Sequence, residues 1–426
     1  MTKKQIFLYL SGLAILVAIA VAVVKLFLLP PSSIDIAAGP KGSYLYETAQ
    51  IYAQEFEKSG VKVTVLETNG TLDNLSHVDH PDKLIEFGFL EGGAADRKDY
   101  PSLESLGSIA YAPIWVFYRS QLGDVFDVNG LKGKRIAIGY PAQGIHTNSL
   151  DILNAVGINA KNTQLIDIGS DDALKKLHTK EIDALFYSAP AEDRLVKTLF
   201  NDPTLKPLKW PDAEGIARNL REYHVLNLPF GAIDLANSKP ATDMKVLATT
   251  ITVITKKDTH SALIYLMMGV MDDIHEKPSI LHAENEFPSD KDVDFPLSDD
   301  AEDYYKKGGK PFLQRYLPYW AASFLGKLLL ILVPLLAIFY PLSQAYPALQ
   351  QWYYTNKVNR FYDQLVKIEK RLDHHADLER IKYDIQILRA EIELLIKLEK
   401  IPSMYTNLLY DLRGHVSQVI EQHGLQ

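Results

Sequence analysis

The chain contains no cysteine. That absence excludes disulfides, zinc–thiolate and iron–sulfur sites, and any thiol nucleophile. A basic excess is missing too: 45 Lys and Arg stand against 53 Asp and Glu, for a formal net charge of −8. Nucleic-acid binders carry a basic footprint, so that class is set aside. There is no Gly-x-Ser-x-Gly elbow, no His-Glu-x-x-His pair and no P-loop, and the Gly39–Gly42 turn is not a dinucleotide fingerprint. Lone acids such as Glu91 and Asp183 have no motif-level partner. Neither an enzyme nor a cofactor is indicated. What the 426 residues do offer is a 47% apolar composition, enough for two or three domains with ample cores.

Two apolar runs divide the chain. Ile6–Leu29 is apolar except for Lys25 and follows Lys3 and Lys4. About 20 such residues let a helix cross the hydrocarbon core. The run continues past Ala18, Ala20 and Ala22 to Leu29, which favours an uncleaved anchor over a cleaved signal peptide. The second run, Tyr319–Tyr340, has Tyr316, Tyr319 and Trp320 at one end and Phe339 and Tyr340 at the other, as interfacial aromatic belts require. Lys327 inside it is read as snorkelling, and Pro334 as a kink. Lys3 and Lys4 keep the N-terminus cytoplasmic, so residues 32–318 lie outside a bacterial inner membrane and 341–426 return to the cytoplasm. The outer region holds 30 Lys and Arg against 42 Asp and Glu.

Within that region strands and helices alternate. Ile34–Ala38 reads as a strand, and Gly39-Pro40-Lys41-Gly42-Ser43 leads from it into a helix over Tyr44–Lys58. The β-branched Val61–Leu66 passes through Thr68-Asn69-Gly70-Thr71 into a helix near Leu72–Val78. Ile109–Tyr118 is a long apolar strand, and Lys134–Ile138 ends at Gly139 ahead of a helix over Ile145–Val156. Gln164–Ile168 and Ala184–Tyr187 flank a helical Ala173–His178. The alternation predicts an α/β fold with a largely parallel sheet.

Three times, then, a strand enters a helix through a small polar turn containing glycine. Helix starts present unpaired N–H groups and partial positive charge. Glycine admits a ligand to the backbone, and Ser43, Thr71 and Thr147 add hydroxyls. Ser and Thr also serve there as plain helix caps. Three such turns in one domain point to a small anion, above all a carboxylate, held at the carboxyl ends of the strands. Lys41 and Arg119 are further candidates for pairing with it, Arg119 by a bidentate contact. His77 and His80 have a metal-compatible spacing, but Pro81 ends the helix there and no metal is assigned.

These turns resemble the signature of the TAXI solute-binding proteins, the extracytoplasmic receptors of one class of TRAP transporters. Gly39–Tyr44 (GPKGSY) resembles the family's opening turn, and Thr68–Leu75 (TNGTLDNL) its Thr-x-Gly-Ser/Thr-x-x-Asn-Leu element. Leu131–Gly139 (LKGKRIAIG) and Ile182–Pro190 (IDALFYSAP) resemble strands of the second lobe. Phe287-Pro288, Pro311–Trp320 (PFLQRYLPYW) and Tyr410–Val416 (YDLRGHV) resemble a subgroup with a C-terminal span and tail. The resemblance implies a type II periplasmic-binding-protein fold: one lobe from about residues 32–110 and 229–315, the other from about 111–228. It implies ligand contacts from Gly39, Lys41, Gly42, Ser43, Tyr44, Thr68, Asn69, Gly70, Thr71 and Asn74 of the first lobe. Gln143, Gly144, Thr147 and Asn148 would supply those of the second. Two departures stand out: Ala142-Gln143-Gly144-Ile145 replaces a common Gly-Ser-Gly-Thr run, and Ala112-Pro113 replaces an acidic-Pro pair. The implied ligand is a small organic acid or an amino acid such as glutamate, and the implied partner a TRAP-type permease.

The tail repeats apolar residues at helical spacing. Val358, Phe361, Leu365, Ile368 and Leu372 form one stripe, and Leu378, Ile381, Ile385, Leu388, Ile392 and Leu395 another. Residues 373–377 separate the two, Pro402 ends the second, and a third helix is expected near Met404–Gln422. This predicts a helical hairpin that folds on itself or docks on another chain, including a second copy. A tail of this kind also admits an alternative function, a transmembrane sensor that reports ligand closure to the cytoplasm.

Overall fold

The computed structural model describes residues 30–82, 85–310, 312–317, 319–373, 378–398 and 403–425. The chain divides into two units, Met1–Lys327 and Leu328–Gln426.

In the first unit the chain order begins β1 (Ser33–Gly39), α1 (Tyr44–Lys58), β2 (Lys62–Glu67), α2 (Thr71–Asp79), β3 (Phe87–Glu91) and β4 (Leu103–Arg119). It continues with β5 (Arg135–Ala137), α3 (Gly144–Ala155), β6 (Gln164–Ile166), α4 (Ser170–His178) and β7 (Ala184–Ser188). Next come α5 (Arg194–Asn201), β8 (Leu205–Pro207), α6 (Ala213–Asn219), β9 (His224–Leu228) and β10 (Met244–Lys256). Helices α7 (Ser261–His275), α8 (Asp299–Lys307) and the short α9 (Phe312–Tyr316) follow.

The strands form two α/β lobes, in the order β2-β1-β3-β10-β4 and β4-β7-β5-β6. Strand β1 runs parallel to β2 and β3, with Ile36 opposite both Val65 and Phe87. In the second lobe β5 runs parallel to β6 and β7. Parallel strands need helical crossovers, and those helices cover both faces. Hence Ile34, Ile36 and Ala38 pack under α1 and α7 with Tyr52, Phe56 and Met267, while Ala37 faces Leu75 and Val78 of α2. In β4, Ile114 and Val116 face one core of the second lobe and Trp115 and Phe117 the other.

Two long strands join the lobes. Leu103–Pro113 of β4 pairs antiparallel with β10, and Ile114–Tyr118 pairs with β7. Strand β10 begins beside β9, with Met244 opposite Leu228. Ile233, Met244 and Val246 pack with Trp115, Phe117 and Leu185 of the second lobe. The chain therefore returns to the first lobe along β10, later than the expected return at Pro229. A hairpin from β9 to β10 holds the intervening segment in place.

A buried polar pair ties α1 to α7: the Tyr52 hydroxyl and His275 Nε2 share a 2.9 Å hydrogen bond. Burial, helped by the charge of His282, holds the His275 imidazole down at about 3. A lowered folded pKa means stability is full above the unfolded value near 6.5 and is lost as pH falls below it. Denaturation between about pH 7.5 and about pH 4.5 should cost the wild type roughly 2–3 kcal/mol more than His275→Gln.

The second unit is helical. It holds helix α10 (Tyr319–Asp373) from Leu328 onward, then α11 (Leu378–Leu398) and α12 (Ser403–Gln422). Val358, Leu365 and Ile368, Ile381, Ile385, Leu388 and Ile392, and Leu412, Val416 and Val419 share one core. The expected hairpin is thus completed by the third helix, which closes an apolar stripe that two helices leave open. Arg371 pairs with Asp384 at 2.6 Å beside the link.

Residues 319–340, expected to be a separate span, begin the single helix α10, which continues through Pro341 and Pro347. Among the described residues no helix is long and apolar enough to cross a membrane. The Ile6–Leu29 run, the link at residues 374–377, Pro402 and the side chains of Trp320, Lys327, Pro334 and Phe339 lie outside the described residues.

Candidate functional site

The carboxyl ends of the parallel strands in both lobes face one cavity of about 420 Å³. Five helix starts line it: Ser43–Leu45 of α1, Gly70-Thr71 of α2, Gln143–Ile145 of α3, Ser170-Asp171 of α4 and Asp193–Leu195 of α5. The first N–H groups of a helix have no partner within it, and a helix start carries about half a positive charge. Two are capped from within: Ser43 Oγ accepts the Tyr46 N–H at 3.3 Å, and Asp193 Oδ1 accepts the Leu195 N–H at 2.8 Å. The cap residues of α2, α3 and α4 are Gly70, Gln143 and Gly169, and none makes a side-chain cap bond.

The lobes touch beside this cavity. The Leu72 N–H donates to the Ala142 carbonyl at 3.0 Å, and Asn148 Nδ2 donates to the Gly92 carbonyl at 3.3 Å. Gly70, at φ +133°, lies under the second lobe so closely that a Cβ there would meet Ala142 O and Gln143 Cα at 3.0 Å. Only glycine fits that corner.

Acids and hydroxyls make up most of the polar lining. Burial raises the Glu91 carboxyl to about 7, against a hydrogen bond from the Ile145 N–H that pulls it down. Its Oε2 is sealed from solvent without a hydrogen-bond partner, and so is Ser188 Oγ. Burial pushes the Tyr44 phenol up to about 12 despite a hydrogen bond with Thr48, with Glu192 and Asp193 adding to the rise. Tyr187 donates to Asp193 at 3.1 Å, and burial followed by that carboxylate holds its phenol well above the usual range. The cavity cations, Lys41 and Arg194, are exposed, and Lys41 lies 3.5 Å from Glu67.

The residues singled out from sequence separate into two groups. Lys41, Gly42, Ser43, Tyr44, Gly70, Thr71, Gln143 and Gly144 line the cavity. Gly39, Thr68, Asn69, Asn74, Thr147 and Asn148 are outside its lining. Thr68 is buried and bonded to Asn74, which itself donates to the Ala38 and Phe89 carbonyls at 2.8 and 2.9 Å. The Gly39 carbonyl accepts the Thr68 N–H, and Asn69 is tied to Asp73. These groups wire the first corner together. Arg119 does not approach the cavity: it pairs with Asp183, at the opposite end of β7 from Ser188. His77 lies 3.8 Å from Asp73, and His80 Nδ1 accepts the Asp82 N–H.

The sequence sets Glu91 aside as a lone acid and does not mark the Ser170 start, Ser188 or the Asp193 start as ligand contacts. Gly169-Ser170 after a strand and Asp193 as a cap were visible signals. Glu91 and Ser188 carried none, because each owes its place to the end of a strand inside the sheet.

Among solved structures, a Bordetella bronchiseptica RB50 protein is 15% identical, with 57% of this chain and 71% of that one covered and a TM-score of 0.41. The alkanesulfonate-binding protein SsuA of Xanthomonas axonopodis pv. citri, bound to MOPS, is 15% identical over 57% of this chain and 73% of that one, with a TM-score of 0.37. The amino acid ABC transporter substrate-binding protein AbpA of Streptococcus pneumoniae, bound to L-arginine, is 13% identical over 58% and 91%, with a TM-score of 0.38. No curated protein sequence matches the chain. The profile of the NMT1-like family matches residues 36–309, which hold both lobes and every cavity residue named above, and the chain belongs to that family.

Proposed function

We propose that the chain is a solute receptor that closes two lobes on a small carboxylate-bearing molecule, an organic acid or an amino acid. The observation that carries this reading is the ring of five helix starts from both lobes around one cavity. Backbone N–H groups so placed neutralise a carboxylate without requiring a buried cation. A volume of about 420 Å³ is of the size small-molecule sites have. The acidic balance of residues 32–318 does not oppose capture, because local dipoles set the field at close range.

The finer reading follows the TAXI resemblance of the turns. The receptor is anchored in a bacterial inner membrane by Ile6–Leu29, and it delivers its ligand to a TRAP-type permease. Anchoring raises its effective concentration at such a partner.

A thermal-shift panel of carboxylates and amino acids on the purified full chain tests the proposal. A true ligand at 100 times its Kd adds about 2.7 kcal/mol to the stability of the bilobal unit. Absence of a shift with every member would end the receptor reading.

A further inference from the structure

The same cavity holds two oxygens that no protein donor or acceptor reaches, Glu91 Oε2 in the first lobe and Ser188 Oγ in the second. Buried polar atoms left without partners are rare and costly, and an unfilled ligand position is one physical reason to keep them. Glu91 ends β3 and leans over Gly144, so closely that a Cβ on that glycine would meet Glu91 Oε2 at 2.6 Å. What acts on its carboxyl is burial and the Ile145 N–H, with no lysine, arginine or histidine contributing. A simple dicarboxylate would bring a further negative charge beside this acid. A protonated amine would instead supply the missing counter-charge and the missing donors.

We infer that Glu91 and Ser188 form an ammonium subsite, so that the receptor selects a ligand carrying a protonated amine beside its carboxylate, in other words an amino acid. The inference rests on the receptor reading above and narrows it. The carboxylate lies against the helix starts, and the amine bridges the Glu91 carboxylate and the Ser188 hydroxyl across the two lobes. A charge-assisted bond to a desolvated acid strengthens binding far more than the same bond in water.

Matched pairs differing only in the amino group test this on the purified full chain by isothermal titration: L-glutamate against glutarate, L-aspartate against succinate, and L-alanine against propionate. For at least one pair, the amino member should bind about 10- to 100-fold more tightly. Glu91→Gln, which keeps the side-chain shape, should reduce that ratio to about twofold or less by weakening the amino member alone. Ser188→Ala should reduce it in part. Equal or tighter binding of the deaminated members, or an unchanged ratio in Glu91→Gln, overturns the ammonium subsite while leaving the receptor intact. Failure of both members of every pair overturns the receptor reading and the subsite together. The wild-type ratio decides the matter even if the variants do not fold.

Discussion

Asp183→Ala lowers the unfolding free energy of the bilobal unit by about 2–3 kcal/mol, the cost of removing a buried carboxylate and its charge-assisted bonds from two half-buried guanidiniums. Asp183 precedes β7 and is 6% exposed. Its carboxylate accepts the Arg135 backbone N–H at 3.0 Å and the guanidinium at 3.0 and 2.9 Å, and it also pairs with Arg119. Burial pushes the carboxyl up, but the bonds from Arg135 and Arg119 outweigh it and hold the group well below the usual carboxylate range. Its contribution is therefore present above the unfolded pKa near 4 and is lost as pH falls through the acid range. The alanine variant leaves Arg119, whose Nε already lacks a partner, with only its bond to Gln121 Oε1. Urea denaturation at neutral pH measures the loss. A change under about 1 kcal/mol would show that solvent screens the cluster as it does a surface pair.

Gly70→Val weakens ligand binding about 100-fold, and the reason is local. A valine at φ +133° is strained, and its Cβ would meet backbone atoms of the second lobe, Ala142 O and Gln143 Cα, at 3.0 Å. No flexible side chain can yield there, so the strain falls on closure. The Leu72 to Ala142 hydrogen bond beside it opens at the same time. Apparent affinity scales with the fraction of molecules in the closed form, and strain of about 3 kcal/mol reduces that fraction about 100-fold. Isothermal titration of wild type and variant checks this. Unchanged affinity would show that ligand capture does not need these two corners to meet.

The sequence made the corners legible because glycine and a small hydroxyl at a strand end have few other uses. Tyr44–Lys58 is helical over the expected range, and the strand expected at Val61–Leu66 occupies Lys62–Glu67. What it could not show is the direction of side chains. Thr68 and Asn74 have the chemistry of ligand contacts, yet the sheet turns both inward onto each other and onto carbonyls. Glu91 has the chemistry of a solvated acid, and the approach of α3 seals it. Both outcomes depend on which element packs against the residue, a property of the tertiary fold that a single segment does not encode. The tail follows the same rule: stripe spacing marked the helices, while the shared core of three was decided by packing.

The most direct measurement is a structure of the full chain with its tightest-binding ligand from the panel. The account predicts one molecule in the interlobe cavity, its carboxylate oxygens within about 2.7–3.2 Å of backbone N–H groups from helix starts of both lobes. A ligand bound elsewhere, or one held by side chains with those N–H groups turned away, would contradict it.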